Sequence, residues 1–265
     1  MGYLDIHLGE LVPYLLEGFL HFFGKDSLTK AKQERLSRVL RIAAQEAAAV
    51  QCVGMHSPIP IGDIYQPTRL MLGDQPADFR GLLDARENAI IFGRPGQGKT
   101  TLTHWAFTTL SDRSENSYKP ILFILRKPEA VEDLGMFVEL VSKGRGEQRD
   151  DRDRLVLLVD GYDEVSSKER KAVSQYLSEF SGLGVGNFFL TCRDYYDVFD
   201  LKAPNYQIKG FDQADAINHI NSFCRVYGKV HVVPEDLLKE LRDQRTLELH
   251  FAPVDDCLGL HSQDQ

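Results

Sequence analysis

The segment Gly93-Arg94-Pro95-Gly96-Gln97-Gly98-Lys99-Thr100 constrains this chain more than any other. It matches G-x-x-x-x-G-K-[ST] and lies between an apolar run, Asn88 to Phe92, and a helix-forming stretch, Thr100 to Leu110. A phosphate chain needs several backbone N–H groups converging at a helix N-terminus. Glycines permit both the dihedrals and the close approach. Lys99 then reaches the β and γ phosphates, the Thr100 hydroxyl is the expected Mg²⁺ ligand, and Thr101 is placed to meet the α-phosphate. Such a loop works between a buried strand and the helix after it. The expectation is therefore an α/β fold, a P-loop parallel sheet flanked by helices, that takes ATP or ADP with Mg²⁺.

The middle of the chain carries the alternation this fold requires. Short apolar runs at Asn88 to Phe92, Pro120 to Leu125, Leu155 to Val159, Asn187 to Thr191 and Tyr206 to Ile208 read as strands. Lys168 to Phe180 reads as a helix opened by a Ser166 and Glu169 capping box. Ser142 to Arg154 is almost wholly polar and reads as a solvated loop.

On the N-terminal side, Leu4, Leu8, Leu11, Leu15, Phe19 and Phe22 share one helical face. A second helix is expected to begin after Ser27 and continue to about Val50, with Leu36, Val39, Leu40, Ala43, Ala47 and Val50 along its seam. Pro58, Pro60, Gly62 and Pro67 then predict an extended, non-helical connector. On the C-terminal side a helix from Asp212 to Tyr227, with Asp212 as its cap, and another from Pro234 to Leu249 are expected. The implied division is 1–53, a helical hairpin; 54–210, the nucleotide-binding unit; and 211–265, the start of a helical subdomain with an irregular tail from Val254 to Gln265.

Composition narrows the partners. A formal net charge of −8 and the lack of a basic stripe argue against a phosphate-backbone surface, so no nucleic acid is expected. Cys52, Cys192, Cys224 and Cys257 form no C-x-x-C pair, which fits a reduced, cytoplasmic protein. Asp5 and Glu10 stand where a secretory signal would carry positive charge, and Pro13 and Glu17 interrupt the apolar stretch Leu11 to Phe23, so neither a signal peptide nor a membrane partner is expected.

Two further elements carry chemistry. The apolar run Leu155 to Val159 ends in Asp160-Gly161-Tyr162-Asp163-Glu164. Asp160, at the carboxyl end of a strand, is positioned to hold Mg²⁺. Glu164 is the candidate general base for the attacking water, and Asp163 is expected to add charge to the same Mg²⁺ and water cluster. The strand Asn187 to Thr191 delivers Arg193 to its carboxyl end, where a planar guanidinium suits the γ-phosphate; an ion pair with Asp194 or Asp197 is the bland alternative. Cys192 reads as a small core residue rather than a nucleophile.

Together, Gly93 to Thr101, Asp160-Gly161-Tyr162-Asp163-Glu164 and Thr191-Cys192-Arg193 resemble the NACHT-type ATPases of the signal-transduction (STAND) class. That group includes animal inflammasome receptors and bacterial antiphage proteins. The resemblance covers about Ile59 to Tyr227. It implies an ADP-bound resting state, exchange for ATP on a trigger, slow hydrolysis as reset, and self-association or association with a longer family member. It also implies a role in innate immunity or antiviral defence, an adenine site near Ile64 and Tyr65, and a base-contacting Pro253. Family members continue into a winged-helix domain, whereas this chain stops at Gln265, so a truncated or altered member is the expectation. Two other functions stay open at this level. One is a P-loop kinase for a small metabolite; the other is a non-hydrolysing nucleotide-binding regulatory module.

Overall fold

A computed structural model describes residues 3–24, 28–50, 59–112, 118–144, 154–194, 198 and 201–227. The expected helix Pro234 to Leu249, the tail and Pro253 lie outside the described residues. In chain order the elements are α1 (Tyr3–Phe23), α2 (Lys30–Ala48), β1 (Ala49–Val50), β2 (Ile59–Pro60), α3 (Ile61–Ile64), β3 (Arg69–Leu72), β4 (Gln75–Ala77), α4 (Phe79–Asp84), β5 (Ala89–Phe92), α5 (Lys99–Leu110), β6 (Tyr118–Ile124), α6 (Ala130–Lys143), β7 (Arg154–Asp160), α7 (Ser167–Leu183), β8 (Gly186–Cys192), β9 (Asn205–Lys209) and α8 (Gln213–Tyr227).

The fold is α/β, with a seven-stranded sheet in the order β4-β3-β9-β5-β8-β7-β6. From β9 to β6 every pairing is parallel, and β7 is buried over Leu155 to Asp160. A strand covered on both faces has no use for a polar alternation, which explains the continuous apolar runs in the sequence. The sheet is mixed, not purely parallel. β3 runs antiparallel to both β4 and β9; β3 and β4 form a hairpin whose turn includes Gly73 with φ 60°. Arg69 on β3 pins this edge to α8 by reaching Asp212 at 2.7 Å and Asp215 at 2.8 Å.

The N-terminal hairpin shares the core of the sheet. Leu15, Phe19, Phe22 and Phe23 of α1 and Leu36, Leu40 and Ala43 of α2 belong to the same apolar cluster as β5 to β8. Phe19 and Phe23 both meet Phe137 of α6 edge-on, at 5.8 and 5.9 Å between ring centres. Helix α2 is capped by Thr29, whose hydroxyl accepts from Lys32 N–H, and ends at Ala48, so Val50 falls in β1 rather than on the helical seam.

Two local expectations are met at helix starts. Ser166 and Glu169 form the reciprocal capping box of α7, and Asp212 accepts from Asp215 N–H at 2.9 Å as the cap of α8. One is corrected. The proline-containing connector carries a single helical turn, α3, closed by Tyr65 N–H on Ile61 O at 2.9 Å. Pro60 precedes that turn, where a missing N–H costs nothing because first-turn donors have no partner inside the helix.

Candidate functional site

The carboxyl ends of β5, β7 and β8 bring the predicted residues together. After β5 the chain turns through Gly93 to Gly98 into α5. Gln97 closes the loop on itself, its Oε1 accepting from Arg94 N–H at 2.6 Å. Gly98 has φ 89°, a left-handed conformation that a β-carbon would strain, and nothing lies within 4 Å of where that carbon would be. No side chain caps this N-terminus of α5, so its first-turn N–H groups have no capping acceptor. An open helix N-terminus of this shape is what an anion needs.

Lys99 folds back over the loop, its Nζ donating to Gly93 O at 2.6 Å and Arg94 O at 3.0 Å. Burial pushes the ammonium down from its ordinary value, while Asp163 and Asp160 pull it back up. The Thr100 hydroxyl donates to Asp160 Oδ2 at 2.9 Å. The other Asp160 oxygen accepts from the Thr191 hydroxyl at 2.7 Å, and that hydroxyl in turn accepts from Gly161 N–H at 3.0 Å. Asp160 is only 2% exposed and Thr191 fully buried, and the carboxylate is held from helix α5 and strand β8. One hydroxyl and one carboxylate form a donor set suited to Mg²⁺, which keeps waters and phosphate oxygens for its remaining positions. Thr101, half-buried one residue along α5, completes the predicted loop.

Beyond Asp160, Gly161 with φ 88° turns the chain into a 3-10 turn at Tyr162–Glu164. Buried Tyr162 anchors that turn through its hydroxyl, 2.9 Å from Ser174 on α7. The turn sends its two acids in different directions. Asp163 was expected beside Mg²⁺, yet both its oxygens engage Arg193: one accepts from the backbone N–H at 3.1 Å, the other lies 2.7 Å from Nε. Arg193 therefore pairs with Asp163; Asp194 instead faces Arg94 at 3.7 Å, and Asp197 is outside the described residues. The Glu164 side chain is 33% exposed, and burial raises its carboxyl above the ordinary glutamate value, opposed by Arg126. Cys192 is fully buried with its thiol pushed up to about 12 by burial, which suits a core residue and not a nucleophile.

Sequence reasoning missed four residues around these acids. Arg126 lies 3.6 Å from Asp160 and 3.7 Å from Glu164. Glu46 of α2 pairs with Arg126 and Lys127, and buried His104 of α5 lies beneath with its Nε2 unpaired. Arg126 and Lys127 directly follow the apolar run Pro120 to Leu125, and a cation at the carboxyl end of a strand was a readable signal. Glu46 offered none. Near the expected adenine site, Tyr65 stacks on Trp105 at 4.4 Å and bonds Thr68, while Ile64 O meets His219 Nδ1 at 3.2 Å.

Among the described residues, no helix is long and apolar enough to cross a membrane. No family model matches the chain, and no curated protein matches it. The chain is similar to a solved structure of C. elegans PCH-2, with a TM-score of 0.36 and 14% identity over 78% of this chain. It spans 50% of that chain, and a likeness this slight says nothing of activity.

Proposed function

We propose that this chain binds ATP with Mg²⁺ in the loop Gly93 to Thr101 and hydrolyses it slowly, as a nucleotide-dependent switch. The observation that carries the reading is the Thr100 to Asp160 hydrogen bond beside the uncapped N-terminus of α5. It sets a hydroxyl and a carboxylate next to an anion-ready nest of N–H groups.

In this reading the backbone of Gly93, Arg94, Pro95, Gly96, Gln97 and Gly98 wraps the phosphates, and Lys99 exchanges its loop carbonyls for phosphate oxygens. Thr100 and Asp160 would hold Mg²⁺, which when bound neutralises charge on the β and γ phosphates. Glu164 accepts the proton of the attacking water; its raised proton affinity suits a base better than that of an ordinary glutamate. Arg193 contacts the γ-phosphate, and Asp163 holds its guanidinium in place from behind.

The finer reading is a NACHT-type switch in innate immunity or antiviral defence, supported by the paired acids at Asp163 and Glu164 and the Thr191-Cys192-Arg193 strand end. ATP replaces ADP in the unit 54–210, the segment 211–265 reports the exchange, and self-association gathers the helical region 1–53.

Phosphate release from ATP with Mg²⁺, measured beside Lys99→Ala and Glu164→Gln, tests the core of this. Lys99→Ala is expected to lose nucleotide. Glu164→Gln should keep ATP and lose on the order of 10² to 10⁴ in kcat. Normal turnover by Glu164→Gln would remove the base assignment, and a wild-type protein that retains no nucleotide would sink the reading.

A further inference from the structure

Arg126 occupies a junction that the proposed chemistry does not itself require. It follows β6 in a tight turn, with Leu125 N–H on Asp160 O at 2.9 Å and Lys127 N–H on Ile124 O at 2.9 Å. Because Ile124 is in register with Asp160, that turn sets the guanidinium beside the acidic end of β7. Three carboxylates from three elements surround it: Asp160 Oδ2 at 3.6 Å, Glu164 Oε2 at 3.7 Å and Glu46 Oε2 at 3.5 Å. The third belongs to α2, and the other oxygen of Glu46 accepts from Lys127 Nζ. The same end of α2 is tied to α5, Thr108 donating to Ala47 O at 3.2 Å.

We propose that Arg126 is a positioning residue for Glu164, anchored in turn by Glu46, so that the placement of α2 in the N-terminal hairpin decides how the base is held. This rests on the hydrolysis reading above. A guanidinium about equally distant from three carboxylates is shared among them, so its position follows whichever carboxylate moves. Asp160 ends β7 and Glu164 ends the 3-10 turn that follows it, four residues along the same connection. Glu46 stands on a separate helix, and a shift of that helix displaces Arg126 relative to Glu164. The hairpin thereby reaches the site through one side chain, without contacting nucleotide.

The test compares wild type, Arg126→Gln, Arg126→Lys, Glu46→Gln and Glu164→Gln, and the double variant Arg126→Gln with Glu164→Gln. Each is checked for folding by circular dichroism. Turnover of radiolabelled ATP is followed under single-turnover conditions, and ATP affinity is measured by calorimetry. Arg126→Gln is expected to slow hydrolysis about tenfold with affinity changed less than about twofold, and Arg126→Lys to restore most of the rate. Glu46→Gln should slow it about threefold. In the Glu164→Gln background, Arg126→Gln should cost nothing more, because residues acting as one unit are not additive. An unchanged or faster rate in Arg126→Gln, or an equal loss with and without Glu164, overturns the proposal while leaving the hydrolysis reading intact. A wild type no faster than Lys99→Ala overturns that reading and this proposal together.

Discussion

Thr191 shows how much one buried hydroxyl can organise: it donates to Asp160 and accepts from Gly161 N–H, so both the carboxylate and the turn after it are fixed by one side chain. His104 is the opposite case. It is 7% exposed, and its Nε2 finds no partner. Burial lowers its imidazole from the ordinary 6.5, with Asp160 pulling the other way. Above that ordinary value neither the folded nor the unfolded chain protonates it. As pH falls below it, the unfolded chain takes up a proton that the folded chain refuses, and stability drops until the lowered folded value is reached. His104→Leu should therefore be less acid-sensitive than wild type. The fall in urea-unfolding free energy from about pH 7.5 to about pH 5.5 should shrink by on the order of 1 kcal/mol. An identical fall in both proteins would show that His104 is protonated in the fold.

At the scale of elements, four of the five strands that the sequence disclosed, β5 to β8, are buried along most of their length, where composition alone carries the signal; β9 instead alternates buried and exposed residues. The elements it left unread have other causes. β3 and β4 are too short for a period to register, and Pro76 stands inside β4, where an edge strand tolerates it. Helix α6 does carry apolar residues at helical spacing, with Val131, Leu134, Phe137, Val138 and Val141 buried, and was legible in principle. The parallel pairing itself depends on close approach at one point. Gly186 faces Leu155 across β7 and β8, and a β-carbon there would sit 2.0 Å from Leu155 O. Gly186→Ala should destabilise the protein by about 3 kcal/mol, the upper end of overpacking costs, because strand backbone cannot yield as a side chain can. Thermal unfolding with an unchanged midpoint would contradict that register.

For the whole molecule, the question is what keeps the hairpin on the sheet. Apolar packing does most of it, and one buried acid sets the alignment: Asp133, 4% exposed at the start of α6, receives Arg38 at 3.0 Å and Arg35 from α2. Asp133→Ala leaves two half-exposed arginines that water can recover, so the expected cost is about 1–2 kcal/mol, below the figure for a fully buried pair. If α2 also shifts, the Glu46 to Arg126 link loosens and hydrolysis slows with it. Measured stability loss without any change in rate would separate docking from the site.

What the sequence determined by itself was local chemistry. A loop of fixed spacing, an apolar strand ending in acids and a strand ending in Arg193 are each contiguous in the chain, so residue type and spacing alone disclose them. Only the tertiary structure decided which charges meet. Asp163 faces Arg193 across β7 and β8, and Arg126 joins Asp160 and Glu164 to Glu46. Likewise β9 enters the sheet between β3 and β5. Ion pairs and strand order are set by distances between segments far apart in the chain, and no local pattern encodes those distances.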